Sequence, residues 1–364
     1  MFKFSIRTEW LIESKQDGPI SLPIMIDLLT AIDQSGNLVA ACKNTGLSYR
    51  YGWGLLRKFE KEFAVALLIT SRRKGTELTP FGKKLIWANK RIEARLGPTL
   101  EGLASELGKE IEAAIAPPQP VLQLHASHGF AVEALIHRLQ QSNHPIEFKY
   151  EETTQALNSL LQGNCDVAGF HLPIGPLRHS VLKHYAKYLR AKDQKIVHLS
   201  LRTLGIITAP GNPKNIQSIH DFMRGDVSMV NRQPSSGTRT LLDLILKSEK
   251  MDPQKIRGYG NSEFTHSAVA AYIASGMADV GFGIEKSAQQ FGLHFLPVAT
   301  EDYYMIFHHT SEKNPAVQHM ISIMQDAEFR QQINQMAGYM CERPADVIDA
   351  AQELSPNPHK IHQD

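Results

Sequence analysis

The chain has few cysteines and no long apolar run, and each shortage excludes a class of protein. Only three of its 364 residues are cysteine, and Cys42, Cys165 and Cys341 lie far apart without metal-ligand spacing. We therefore expect reduced, mostly buried thiols. No apolar stretch approaches the roughly 20 residues that a transmembrane helix needs. The first residues lack the apolar core and cleavage site of an export signal, so we expect a cytoplasmic protein without membrane contact.

Motifs of enzymes and metal sites are missing as well. The sequence has no Walker-type glycine loop with lysine and no Ser-His-Asp order around a strained nucleophile turn. Its sixteen histidines are densest at His308-His309 and at residues 359–362, without a carboxylate or cysteine at matching spacing. We therefore expect no enzyme activity, no metal site and no cofactor.

Charge is present in ordinary amount but unevenly distributed. Charged residues make up 21% of the chain and apolar residues 42%, with a net charge of +2, as in globular proteins. Between Lys43 and Arg95, however, thirteen Lys and Arg stand against four Asp and Glu, so the remaining chain is acidic. This division is typical of a DNA-binding module attached to another domain.

Residues 35–63 carry the pattern of two helices joined by a tight turn. Gly46 tolerates the positive φ of such a turn, and Ser48 can cap the second helix. That helix presents its first turn to the major groove of DNA, so we expect Tyr49, Arg50 and Tyr51 to face base edges and Arg57 and Lys58 to contact the backbone. Ser48, at the start of the helix, is also expected in the DNA-binding surface. Trp53 is expected in the core.

Two short apolar runs after this helix predict a wing. They flank a basic, glycine-containing tip whose Arg72, Arg73 and Lys74 can lie along phosphates. Thr79 and Pro80 then mark a helix start, and Gly97-Pro98 is expected to interrupt or kink that helix before it ends at the stiff linker 116–120.

From Val121 onward, short apolar runs alternate with helical patterns. The runs at 121–124, 146–150, 167–170, 204–207, 227–230, 280–284 and 305–307 predict strands. Alternating strands and helices favour an α/β fold with a doubly wound parallel sheet.

Two glycine-containing turns at the ends of predicted strands are candidate anion sites. One holds Ser127, His128 and Gly129, and the other holds Ser235, Ser236, Gly237, Thr238 and Arg239. Hydroxyls and the free N–H groups of a helix start favour an oxyanion, and α/β sheets bind ligands at such strand ends. Arg239 and Arg232 leave the anion open, because a guanidinium pointing into the cleft would favour a carboxylate such as formate.

The segments 48–53 and 78–82 resemble the DNA-binding domain of ModE-type molybdate-responsive regulators, a relative of the LysR-type winged helix. The likeness covers about residues 20–95. It implies that the helix after the wing pairs across a homodimer or homotetramer. The pair of small molybdate-binding domains found in ModE is missing here, so the effector is not carried over from that family.

The remainder, about residues 121–340, resembles the periplasmic-binding-protein-like domains fused to such regulators, through segments 209–213, 231–239 and 278–283. This resemblance implies two lobes, 121–204 with 304–350 and 205–303, joined by strands near 203–208 and 300–308. It implies molybdate, tungstate or a similar oxyanion in the cleft, with Tyr303 or Tyr304 closing over it.

Together these patterns predict a ligand-responsive transcriptional regulator that binds double-stranded DNA and a small anionic effector. We expect a winged helix-turn-helix over 1–78, a linker or dimerisation helix over 79–116 and the effector domain over 117–364. The alternative is a small-anion-binding metabolic enzyme or storage protein whose N-terminal helices serve assembly.

Overall fold

The computed structural model describes residues 4–14, 18–71, 75–115, 121–142 and 146–354. The chain divides into two compact units, one of Arg7–Gly97 and one of Met1–Ile6 with Pro98–Asp364. The domain boundaries predicted near residues 78 and 116 stay predictions. None of the helices in the described part combines the length and apolarity that crossing a membrane requires.

The unit of Arg7–Gly97 is a helical domain with two small hairpins. Its elements are β1 (Leu11–Ser14), β2 (Gly18–Ser21), α1 (Pro23–Ser35), α2 (Leu38–Asn44), α3 (Tyr49–Phe63), β3 (Leu68–Ser71), β4 (Gly75–Leu78) and the start of α4 (Pro80–Ile115). The predicted helix, turn and second helix are confirmed. Gly46 has φ of 70°, and the Ser48 hydroxyl accepts a hydrogen bond from the Tyr51 N–H at 3.2 Å.

The two glycines of α3 have opposite surroundings. A Cβ on Gly52 would lie 2.6 Å from Cys42 Sγ and 3.3 Å from a Leu28 methyl, whereas a Cβ on Gly54 would meet nothing within 4 Å. Gly52 therefore allows α3 to approach α1 and α2 closely, while Gly54 only weakens the helix.

We expect Gly52→Ala to lower the free energy of unfolding by about 1–3 kcal/mol, because overpacking outweighs the gain in helix propensity. The matched Gly54→Ala should instead raise it by up to about 1 kcal/mol. Urea unfolding followed by circular dichroism measures both. Equal effects of the two substitutions would contradict this packing.

The long helix α4 corrects one prediction. The Thr79 hydroxyl accepts a hydrogen bond from the Gly82 N–H at 3.1 Å, so the predicted cap is confirmed. The helix then continues through Pro98 to Ile115, so an interruption at Gly97-Pro98 is wrong, while the alternative of a kink there stays a prediction. A proline ring clashes with the Cβ of the preceding residue, and Gly97 has none, which removes one of the two obstacles to a helical proline.

The second unit is built on one mixed sheet. Its strands in the described residues are β5 (Leu122–Ala126), β6 (Ile146–Tyr150), β7 (Val167–Pro173), β8 (Gln194–Thr208), β9 (Met229–Arg232), β10 (Ser262–Glu263), β11 (Val280–Ile284), β12 (His294–His308), β13 (Tyr339–Met340) and β14 (Val347–Asp349). Its helices after α4 are α5 (Phe130–Gln140), α6 (Thr153–Leu161), α7 (Arg178–Tyr185), α8 (Gly237–Ser248), α9 (His266–Ala274), α10 (Glu285–Gln290), α11 (Pro315–Gln325), α12 (Ala327–Asn334) and α13 (Ala350–Glu353).

The predicted α/β class is confirmed, but the sheet is not wholly parallel. The strand order is β10-β9-β11-β8-β12-β7-β5-β6, with β13 and β14 also pairing with β8. Pairs at the two ends of the sheet are parallel, as predicted, whereas β8 is antiparallel to β11 and β12, and β12 is antiparallel to β7. The two 15-residue strands β8 and β12 therefore run through both lobes, which gives the two-lobed arrangement.

Candidate functional site

The first turn of α3 is exposed, and its side chains form a compact surface. Tyr49 and Tyr51 are each about half exposed, and Arg50 is exposed beside them. Trp53 stacks on Tyr49 with ring centroids 6.4 Å apart, and the Arg57 guanidinium lies 4.4 Å above the Trp53 ring.

This placement corrects the prediction that Trp53 belongs to the core. Residues 49, 53 and 57 share one face of α3 at four-residue spacing, whereas Leu56 and Phe59 face the hydrophobic core. Arg57 also pairs with Glu60 at 2.9 Å, and Lys58 is exposed. The predicted wing strands are present as β3 and β4, while Arg72, Arg73 and Lys74 lie outside the described residues.

A second candidate site is a buried polar cavity between the strand ends of the α/β unit. Its lining side chains lie close together and enclose little free space. The lining residues are Ser127, His128, Glu152, His171, Arg202, Arg232, Ser236, Gly237, Thr238 and His266. These residues lie at or just beyond the ends of β5, β6, β7 and β9, at the starts of α8 and α9, and on β8. Parts of the chain that are far apart in sequence therefore converge here.

The start of α8 contributes hydroxyls and free backbone N–H groups. The Ser236 hydroxyl caps the helix by accepting a hydrogen bond from the Arg239 N–H at 3.1 Å. A Cβ on Gly237 would lie 1.8 Å from His171 Nε2, so only glycine lets this imidazole reach the helix start. The positive end of a 12-residue helix thus meets the cavity, which favours a negative ligand.

Two arginines and two glutamates balance one another in charge. Arg202 Nε donates to Glu301 Oε1 at 2.6 Å, and Arg232 lies 3.6 Å from Glu152. Burial raises the pKa of Glu301, although Arg202 opposes this shift. Burial lowers the pKa of Arg232, and Glu152 opposes that shift. The guanidiniums are therefore held inside the protein by carboxylates.

Three cavity histidines are neutral at pH 7. Burial lowers the pKa of His128 to about 4, with the Arg232 charge adding to the effect. Burial and the neighbouring charges of Arg202 and Arg232 also hold the pKa values of His171 and His266 well below their usual range. Neutral imidazoles can each donate one hydrogen bond to a ligand without adding buried charge.

We expect the stability of this unit to fall as pH drops from about 6.5 toward 4. Below the pKa of the unfolded chain, His128 is protonated in the unfolded state but stays neutral in the folded state. The free energy of unfolding therefore falls by about 1.4 kcal/mol per pH unit for each such histidine. Urea unfolding at pH 7, 6, 5 and 4 measures the loss. His128→Gln should flatten this dependence, while the exposed His220→Gln should not; identical slopes for the two variants would contradict the assignment.

The structure brings together most of the predicted effector residues. Ser127, His128, Ser236, Gly237 and Thr238 line the cavity. Gly129 stands at the N-cap of α5 beside them, and the Tyr303 hydroxyl lies 3.3 Å from the Ser127 hydroxyl.

Three other predicted residues point elsewhere. Ser235 is exposed, and Arg239 donates to Asp243 at 2.8 Å while lying 3.9 Å from the Tyr259 ring. Tyr304 donates to Glu353 at 2.5 Å on the opposite face of the sheet from Tyr303, because successive side chains of a strand alternate.

Asp302 belongs to that opposite face too. Its carboxylate lies 3.0 Å from His198 Nε2 and 3.6 Å from Arg178, while Arg178 and Arg343 both bind Glu353 of α13. This buried cluster anchors the short C-terminal helix to the sheet.

Sequence reasoning missed Glu152, His171, Arg202 and His266. Arg202 lies in a stretch of β8 that was not recognised as a strand, and a buried arginine there has a partner 99 residues away. The available signal was weak, because Leu199 and Leu201 alternate with the polar residues His198, Ser200 and Arg202. Among the described residues, no group of three or more His, Cys, Asp or Glu is placed to hold a metal ion.

A family model described as PBP superfamily domain matches residues 136–325, more than half of the chain. The chain therefore belongs to the PBP superfamily. This PBP-superfamily chain is 26% identical over 247 residues to "Uncharacterized protein YvgK" of Bacillus subtilis (strain 168), a match that covers 67% of this chain and 79% of that protein. It is 30% identical over 109 residues to "Uncharacterized protein in ferredoxin 2Fe-2S gene 5'region" of Clostridium pasteurianum, covering 30% of this chain and 96% of that protein.

Similar solved structures include full-length BenM, with a TM-score of 0.44, 16% identity and coverage of 88% of this chain and 98% of that one. A mutant of Corynebacterium glutamicum OxyR with bound hydrogen peroxide gives a TM-score of 0.43 at 14% identity, covering 84% and 92%. Full-length CbnR complexed with target DNA gives 0.38 at 17% identity, covering 82% and 96%.

Proposed function

We propose that this chain is a DNA-binding transcriptional regulator that responds to a small anion held in the cavity of its PBP-like domain. In this proposal residues 1–78 bind DNA, 79–116 form a linker and dimerisation helix, and 117–364 bind the effector, in the cytoplasm. The molybdate- and ModE-type resemblance of the sequence makes molybdate and tungstate the first effectors to test, while the case for formate is weaker because Arg239 pairs with Asp243.

The exposed start of α3 is the observation that carries DNA binding. A cap at Ser48, two half-exposed tyrosines and the exposed Arg50 stand at the end of the helix that a helix-turn-helix inserts into the major groove. The surrounding cation excess between Lys43 and Arg95 supports attraction to phosphates.

The unpartnered donors of the cavity support the anionic effector. Arg232 Nε and His171 Nε2 are buried without a hydrogen-bond partner among the described residues. Buried polar groups are rarely left in this state, so a ligand that accepts hydrogen bonds is the natural partner. On α4, Leu103 and Leu107 are exposed at four-residue spacing, which supports self-association through this helix.

DNA binding is tested by fluorescence anisotropy with a duplex selected by the purified protein from genomic fragments. Affinity should fall steeply with salt, and Arg50→Ala should weaken binding to the selected duplex by about 10- to 100-fold. Lys313→Ala, an exposed cation of the other unit, serves as the control and should bind as wild type. Absence of binding even at low salt would refute the proposal and favour an anion-binding enzyme or storage protein.

The effector site is tested in the same assay with added anion. Ser127→Ala combined with Thr238→Ala should abolish the response to anion and leave basal DNA binding intact. An unchanged response would show that the effector binds elsewhere.

A further inference from the structure

The cavity has little room for a ligand, so binding must move part of its lining. The lining side chains lie close together, and a packed interior responds to an inserted group by shifting its neighbours. His128 belongs to this lining and also has a contact outside it. Its ring packs edge-on against the Tyr150 ring, with centroids 5.0 Å apart and planes at 72°. A displaced His128 would therefore push on Tyr150.

Tyr150, the last residue of β6, connects this ring contact to α4. Its hydroxyl and the Glu101 carboxylate form a hydrogen bond. Burial raises the pKa of Tyr150, and the charges of Glu101 and Glu133 add to this shift, so the phenol keeps its proton and donates it. Two successive contacts therefore lead from the cavity to α4.

The second half of α4 also contacts the edge of the sheet. β6 is the last strand on its side of the sheet, and the Phe148 N–H donates to the Ser105 hydroxyl at 3.4 Å. Ser105 lies one turn after Glu101, so both belong to one face of α4. The exposed Leu103 and Leu107 lie on the opposite face, because two helix positions correspond to about 200°. A shift of α4 against β6 would therefore move this apolar face.

The bond between Tyr150 and Glu101 is weak enough to break. Glu101 is exposed, so water competes for its carboxylate. The neighbouring Glu133 carboxylate repels that of Glu101, and Glu133 also lies 4.0 Å from His128 Nε2. Once Tyr150 moves, the repulsion between the two carboxylates favours release of Glu101 from β6.

We propose that His128 and Tyr150 hold the second half of α4 against β6 through Glu101, and that a ligand entering the cavity releases it. This inference rests on the proposed anion site and describes how its occupancy reaches α4. That helix begins at Pro80, within the unit that carries the proposed DNA-binding surface. Tyr150 and Glu101 are positioning residues outside the cavity lining.

Hydrogen–deuterium exchange of the full-length protein, read by mass spectrometry, tests the path without a ligand. His128→Gln and Tyr150→Phe should each speed exchange in residues 98–115 by about 10-fold, because each breaks one contact of the path. The double variant should be no faster than the faster single variant, since both substitutions interrupt the same path. No change with His128→Gln, or effects that multiply in the double variant, would overturn the inference. His128→Leu replaces His128→Gln if the latter does not fold by circular dichroism.

Two controls separate release of α4 from general loosening. Glu101→Ala should act as Tyr150→Phe does, whereas Glu110→Ala, at an exposed position of the same helix, should leave exchange unchanged. Helix α7 packs in a hydrophobic cluster apart from the cavity and should exchange at the wild-type rate in every variant. Equal acceleration of α7 would show loosening of the whole unit and contradict a specific path.

Molybdate and tungstate test the response to a ligand. Binding stabilises the folded unit and slows exchange generally, so faster exchange confined to α4 has the opposite sign. Either anion should speed exchange in residues 98–115 of wild type but not of Tyr150→Phe, which should bind at least as tightly because its contact is already broken. Binding without that change would overturn the inference and leave an anion-responsive regulator standing. If calorimetry detects binding of neither anion, the proposed effectors are wrong, and the exchange rates of the variants decide the inference alone.

Discussion

Replacing Arg202 with methionine is expected to lower the free energy of unfolding of the PBP-like unit by about 3–5 kcal/mol. Arg202 is 2% exposed and donates to Glu301, which is completely buried. Methionine fills similar space but leaves the carboxylate without its cation, and an uncompensated buried charge is costly. Urea unfolding followed by circular dichroism measures the change.

Two variants make this prediction specific. Arg138→Met removes the exposed pair with Glu328 and should cost less than about 1 kcal/mol, since surface ion pairs contribute little. Arg202→Met combined with Glu301→Gln removes both charges and should recover most of the stability. A double variant as unstable as Arg202→Met would show that the loss comes from packing rather than from the unpaired charge.

Gly237→Ala is expected to reduce anion affinity by about 10- to 100-fold. The new Cβ would lie 1.8 Å from His171 Nε2, so either the imidazole or the start of α8 must move, and donors of the cavity are lost. Overpacking should also lower the free energy of unfolding by about 1–3 kcal/mol. Isothermal titration calorimetry with molybdate and with tungstate measures the affinity.

Gly260→Ala is the control for this substitution, because a Cβ at residue 260 would meet nothing within 4 Å. It should retain wild-type affinity. If Gly237→Ala also binds as wild type while Gly260→Ala folds normally, the anion does not depend on the approach of His171 to α8, and the cavity is misassigned.

Local signals account for the parts of the fold that the sequence predicted. The caps at Ser48 and Thr79 and the turn at Gly46 depend on residues within a few positions, so they can be read without tertiary information. The prediction that Trp53 lies in the core was wrong because an aromatic residue at helical spacing does not reveal which face of α3 is covered.

Long-range pairing explains what could not be predicted. The middle of β8 contains His198, Ser200 and Arg202, which are buried although they are polar. Of these, His198 contacts Asp302 and Arg202 contacts Glu301, about a hundred residues later in the chain. The same separation in sequence explains which cavity residues could be predicted. The hydroxyls beside a helix start were predicted from local sequence, whereas Arg202 and Glu152 could not be assigned to the cavity until the strands were assembled.

Strand β12 connects the cavity with the anchor of the C-terminal helix. Glu301 faces Arg202, and the next residue, Asp302, faces His198 and Arg178 on the other side of the sheet. Any twist of β12 that draws Glu301 away from Arg202 must also displace Asp302, because the two side chains share one backbone. A ligand that competes for Arg202 is therefore expected to shift the contacts that hold α13. We expect a spectroscopic label next to Glu353 to report ligand binding from the opposite face of the sheet.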